Sequence, residues 1–181
     1  MVVLLRLFSV LLGYAIGNIN GKLILEKSRK NENLSILIDV LKTGCTLLFI
    51  RWATKLTIDN MGVMYAALGL MVGHMYPYWT KERKTNGMDV LVCAWILISF
   101  FWGVSGLLIG GFVVFVTKYL PLGQLTVPIV CLIATFFTES REAWILALLL
   151  FTFGIVGIRE ELTQIRMGKY PKLDIRNLRK K

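Results

Sequence analysis

Apolar residues run almost unbroken over positions 2–25, 34–53, 61–79, 88–116, 120–137 and 143–158, and nearly all charge falls in the short gaps between. A run of about 20 apolar residues is what an α-helix needs to cross roughly 30 Å of hydrocarbon. Each run therefore predicts a membrane-spanning helix, except 88–116, which is too long for one ordinary span. That run holds Gly103, Gly106, Gly110 and Gly111. A tilted single helix competes there with two shorter ones broken near Gly103 to Gly106. Run 2–25 has almost no basic leader and no small-x-small cleavage site before Glu26, so it reads as a retained first helix rather than a signal peptide.

The distribution of basic residues chooses between these counts. With seven spans and the N-terminus outside, the inner gaps hold Lys27, Arg29, Lys30, Lys81, Arg83, Lys84, Lys118 and eight basic residues of the tail, fifteen in all. The outer gaps hold only Arg51, Lys55 and Arg141. Six spans with the same tail leave eleven inside and seven outside, a weaker bias under the positive-inside rule. The expected fold is an all-α integral membrane bundle of seven transmembrane helices, six being the alternative, with the N-terminus outside and the C-terminus cytoplasmic. Residues 1–158 form the transmembrane domain, and 159–181 form a basic cytoplasmic tail.

Composition agrees: 56% of residues are hydrophobic, 18% are charged, and the mean hydropathy is +0.65. Soluble domains are nearer a quarter charged. The net charge of +10 is spread over gaps and tail, so anionic lipid headgroups fit it better than nucleic acid. Cys45, Cys93 and Cys131 all sit inside apolar runs, which predicts packing residues rather than disulfides or metal ligands. No cofactor is implied.

Polar groups within the runs are costly and point to an interior, a partner or a wet site. Asp39 and Lys42 stand three apart on one face of the second helix, positioned to pair. Either they lock helix packing or they serve a substrate. Asn18 and Asn20, in Gly17-Asn18-Ile19-Asn20-Gly21-Lys22, are placed for interhelical hydrogen bonds or for an opening toward a polar ligand. His74, the one histidine, precedes Pro77 at the end of the third run. It is a candidate base or phosphate donor, or else part of an aromatic belt with Tyr76, Tyr78 and Trp79.

Taken in order, these segments resemble the bacterial acyl-phosphate:glycerol-3-phosphate acyltransferase family (PlsY). The second-helix motif Leu-Leu-Asp-Ile-Leu-Lys-Gly is similar to Leu37-Ile38-Asp39-Val40-Leu41-Lys42-Thr43-Gly44. Gly-His-x-Phe-Pro matches Gly73, His74, Tyr76 and Pro77 with one aromatic exchange. The first-helix Gly-Ser-Ile-Pro-Phe-Gly is partly matched by Gly17 and Ile19, Thr-Arg-Tyr-x-Ser-Leu resembles Thr117-Lys118-Tyr119-Leu120-Pro121-Leu122, and His-Arg-Glu-Asn-Ile resembles Ile158-Arg159-Glu160-Glu161-Leu162.

The resemblance implies a seven-span enzyme of phospholipid synthesis. It would acylate glycerol 3-phosphate from acyl phosphate, with His74 catalytic and Arg83, Lys84, Gly87, Lys118 and Arg159 binding phosphate. The loops depart from the family pattern. Positions 26–33 stand where the family has Ser-Gly-Asn-x-Gly-Ala-Thr-Asn, and of Gly-Gly-Lys-Gly only Gly87 survives in Lys84-Thr85-Asn86-Gly87. Kept helices with altered loops leave an alternative, a noncatalytic homologue that binds lipid or a protein partner. A small transporter is a third reading, though the two halves show no inverted repeat.

Overall fold

The computed structural model describes residues 1–19, 32–78, 87–138 and 140–172. They form seven α-helices and, among the described residues, no strand. In chain order these are α1 (Val2–Gly17), α2 (Glu32–Thr54), α3 (Asp59–Met75), α4 (Met88–Ile98), α5 (Phe100–Thr117), α6 (Leu120–Thr138) and α7 (Arg141–Arg166). Three of them, α5, α6 and α7, are long and apolar enough to cross a membrane on their own. α4 has 11 residues, about 16 Å of helix, roughly half the hydrocarbon thickness.

The long run 88–116 is therefore two helices, but the break is not at the glycines. It falls at Ser99, whose φ of −144° and ψ of 102° are extended. Arg51 of α2 donates to the Leu97 carbonyl, one of the acceptors that the end of α4 would otherwise leave open. Gly103 lies inside α5 and lets that helix fold back sharply on α4: a Cβ there would come within 2.8 Å of Ile96 Cα. Gly106 and Gly110 are likewise contacts, placed against Val127 and Gly123 of α6.

α3 is the axis of the bundle, with Val63, Ala66, Ala67, Leu70, Met71 and Met75 all fully buried. α1 lies along it in the same direction. Added Cβ atoms at Gly17 and Gly73 would each stand 2.6 Å from a carbonyl oxygen of the other helix, Leu70 and Tyr14 respectively. Small residues allow this approach, and in lipid the resulting close packing, rather than water exclusion, holds helices together. α7 also runs parallel to α3, with Glu142 opposite Tyr65 and Gly154 against Met88 and Leu91. The exposed side chains are mostly large and apolar, among them Phe100, Phe101, Phe112, Phe115 and Phe137, as a lipid-facing surface requires.

Candidate functional site

One end of the bundle gathers the C-terminal ends of α1, α3, α5 and α7 and the N-terminal ends of α2, α4 and α6. Alternation of helix direction thus brings Asn18, Asp39, Lys42, His74, Gly87, Lys118 and Arg159 to the same end, although they span most of the chain. Asn20, Arg83 and Lys84 lie outside the described residues.

Asp39 and Lys42 form the expected pair, Nζ to Oδ1 at 3.2 Å. Both are well buried, at 8% and 14% side-chain exposure. Lys42 also donates to the Ile19 carbonyl, just beyond α1. The pair therefore ties α2 to the end of α1, and the ammonium charge is matched by a carboxylate and a backbone dipole. Asn18 is buried as well: Nδ2 donates to the Tyr14 carbonyl at 2.7 Å, and Oδ1 accepts from the Tyr78 N–H at 2.5 Å. That second bond holds the chain after Pro77 against α1, so the amide acts as a helix-to-helix fastener.

His74 differs. Its Nδ1 lies 2.9 Å from the Leu70 carbonyl, which can only accept, so Nδ1 carries the proton. Nε2 is then an unprotonated nitrogen in the neutral ring, buried and without a partner among the described residues. Thr43 Oγ1, next to Lys42, is another buried polar atom at this end without a partner among the described residues. The sequence reading missed it because a hydroxyl in an apolar helix usually bonds its own backbone, as Thr46 does to the Lys42 carbonyl at 2.7 Å.

Gly87 precedes α4 with φ of 67°, a left-handed conformation that favours glycine, and is buried against Met71. Lys118 ends α5 with φ of 62° and is exposed, as is Arg159 on the last turns of α7. Ile158 is fully buried, so it is a packing residue. Beyond Arg166 the chain turns back: Tyr170 meets Tyr119 edge-on at 6.3 Å, and Lys172 lies over the Tyr119 ring at 6.0 Å. Burial, and then the charge of Glu161, raise the Tyr170 phenol above its ordinary pKa, keeping it a neutral hydroxyl beside the Lys118 turn.

A buried imidazole nitrogen, a buried ion pair and an exposed basic rim, all at one end of an apolar bundle, suit an anionic substrate approached from the membrane surface. The family model described as Glycerol-3-phosphate acyltransferase matches residues 29–168. The chain belongs to that family. Among its curated acyltransferase relatives, the glycerol-3-phosphate acyltransferase of Thermoanaerobacter sp. (strain X514) is 29% identical over 137 residues, 75% of this chain and 67% of the relative. That of Ehrlichia chaffeensis (strain ATCC CRL-10679 / Arkansas) is 24% identical over 162 residues, 88% of this chain and 80% of the relative.

Crystal structures of PlsY (YgiH), an integral membrane glycerol 3-phosphate acyltransferase, share the fold. The glycerol 3-phosphate form superposes with a TM-score of 0.80 at 19% identity, covering 96% of this chain and 98% of that one. The lysophosphatidic acid form gives 0.79, again at 19% identity, over 93% and 95%. The acyltransferase family match begins at residue 29, so α1 precedes it and is reached by the structural likeness.

Proposed function

We propose that this chain transfers an acyl group from an acyl phosphate to a hydroxyl of glycerol 3-phosphate, giving lysophosphatidic acid for phospholipid synthesis. Family membership supports the reaction class, and the carrying observation is His74 Nε2, a buried nitrogen with no partner among the described residues and so placed to take a proton. In this reading the substrate hydroxyl gives its proton to Nε2 while its oxygen attacks the acyl carbonyl carbon. The bond to phosphate then breaks, and inorganic phosphate leaves.

Arg83, Lys84, Lys118 and Arg159 hold the phosphates, and the backbone around Gly87 adds N–H donors. Asp39, Lys42, Asn18 and Asn20 position the helix ends around them. Without a metal or covalent intermediate, the rate comes from orientation and from fixed positive charge. The seven helices alternate in direction within the bacterial plasma membrane, α4 reaching about half its depth, with the N-terminus outside, so the site end and the tail of residues 159–181 face the cytoplasm. The fifteen basic residues assigned to that side support this orientation.

The test is transfer of labelled glycerol 3-phosphate into lysophosphatidic acid by the purified protein in lipid, with a long-chain acyl phosphate as donor. Turnover that a His74→Ala, Arg83→Ala double mutant loses is the expected result. A folded wild-type protein without turnover would instead favour the noncatalytic lipid-binding or partner-binding scaffold.

A further inference from the structure

At the opposite end of the bundle the structure holds a second polar cluster beside an apolar slot. Arg6 of α1 donates through Nη2 to Glu142 Oε2 at 2.9 Å, and Tyr65 of α3 donates its hydroxyl to Glu142 Oε1 at 2.8 Å. The Arg6 guanidinium also lies 5.7 Å from the Tyr65 ring centre. This clasp joins α1 to α7 across a gap, since no Cα of one helix lies within 8 Å of a Cα of the other. Below the clasp runs a cavity of about 480 Å³, walled by Val10, Leu11, Leu68, Val72, Ile145 and Leu149. From Glu142 to Leu149 it follows α7 for seven residues, about 10 Å along the axis.

Such a space does not fill with water, because an apolar cavity offers a water molecule no hydrogen bonds. Left empty, it would forfeit dispersion contacts along three helices. Leu11, Ile145 and Leu149 are also exposed at its mouth, so the slot opens sideways onto the hydrocarbon. The polar end is cationic in character. Arg6 Nε is buried and has no partner among the described residues, Arg141 is exposed next to Glu142, and the N-terminus of α7 presents its positive dipole end there. These groups leave donors and positive charge at the headgroup level, directly above an apolar slot.

We propose that this slot is a binding site for one acyl chain of a bilayer phospholipid, whose phosphate is held by Arg6 and Arg141. The site is separate from the one assigned to the reaction. α1 lies between them, with the slot on its α7 flank and the Lys42 tie on its α2 flank. The occupant is a structural lipid of the membrane rather than the acyl donor.

The experiment is native mass spectrometry of the full-length protein purified in mild detergent and incubated with phosphatidylglycerol, beside the variants Leu149→Trp, Leu11→Trp and Arg6→Gln. Both leucines are at the lipid-facing mouth, so an indole can enter the slot without displacing the core; unchanged thermal unfolding in lipid-free detergent identifies the folded variants. One phospholipid retained per wild-type chain is expected, with affinity at least about tenfold weaker in a folded slot-filled variant and in Arg6→Gln. Equal retention by a folded slot-filled variant, or by wild type offered diacylglycerol in place of phosphatidylglycerol, overturns the proposal. So does displacement of the lipid by long-chain acyl phosphate, which would make the slot the donor's tail site.

Discussion

The two ends of the bundle each carry an ion pair, and the pairs are built for different depths. Lys42 and Asp39 keep 14% and 8% side-chain exposure, whereas Arg6 and Glu142 keep 32% and 37%. The deep pair lies one turn apart on a single helix and takes a backbone carbonyl as a further partner. The shallow pair joins residues 136 positions apart and shares its carboxylate with a tyrosine. Removing one charge from a buried pair strands the other in low dielectric, while an exposed pair is largely replaced by water. The comparison teaches that the site end is fixed by its polar groups, and that the clasp end is held by apolar packing with the ions as a bridge.

The largest effect is expected on chemistry at the site end. His74→Ala should lower turnover about 100- to 10,000-fold, the range for loss of a general base, with little change in thermal stability. A steady-state assay with acyl phosphate beside an unfolding curve separates the two. Activity within a factor of about two of wild type would remove His74 from the reaction and leave that end with a purely structural histidine.

Next comes Asp39→Ala, which leaves the buried Lys42 ammonium, among the described residues, with the Ile19 carbonyl alone for a partner. It should cost about 3–5 kcal/mol, measured as thermal or denaturant unfolding in detergent. Lys42→Ala should also destabilise, since it takes the ammonium partner from the buried Asp39 carboxylate. Should neither single variant lower stability, the packing role of this pair is wrong and the contrast between the ends disappears.

What the sequence disclosed of this arrangement follows from the range of each interaction. The helices and the Asp39–Lys42 pair are local, set by hydropathy and by a three-residue spacing: the seven described helices fall on the apolar runs, three of them long enough to span, and the pair forms. The end at which the candidate residues gather followed from alternation alone. The break in residues 88–116 was misplaced because glycine signals either a weak helix or a close contact. Gly103, Gly106 and Gly110 turn out to be contacts, and the extended residue is Ser99. Arg6 with Glu142, and the slot beneath them, depend on how three distant helices splay, which no local pattern carries. Asn18 was legible as a polar position but not as the fastener of Tyr78.

Glycine contacts give a smaller and sharper test, because they bind α1 to α3 along the length between the two ends. A methyl at Gly73 would lie 2.6 Å from the Tyr14 carbonyl oxygen and 2.9 Å from Gly17 Cα, both backbone atoms that cannot swing away. Gly73→Ala should therefore destabilise by about 1–3 kcal/mol. Gly111→Ala, with nothing within 4 Å, is the control and should be neutral or slightly stabilising. Equal unfolding temperatures for the two variants would mean that α1 is not seated by its glycines.

The smallest effect belongs to the clasp. Glu142→Gln keeps the shape and an acceptor for Tyr65 but removes the charge facing Arg6, on side chains that are about a third exposed. The expected loss in lipid-free detergent is below about 1 kcal/mol, and moderate salt should erase most of it by screening. Salt should leave the Asp39→Ala penalty nearly unchanged, since that pair is buried. A Glu142→Gln loss as large as that of Asp39→Ala would show that the clasp carries the fold. Apolar packing would then no longer account for the clasp end, and the slot below it would have to be read as held open by the ion pair.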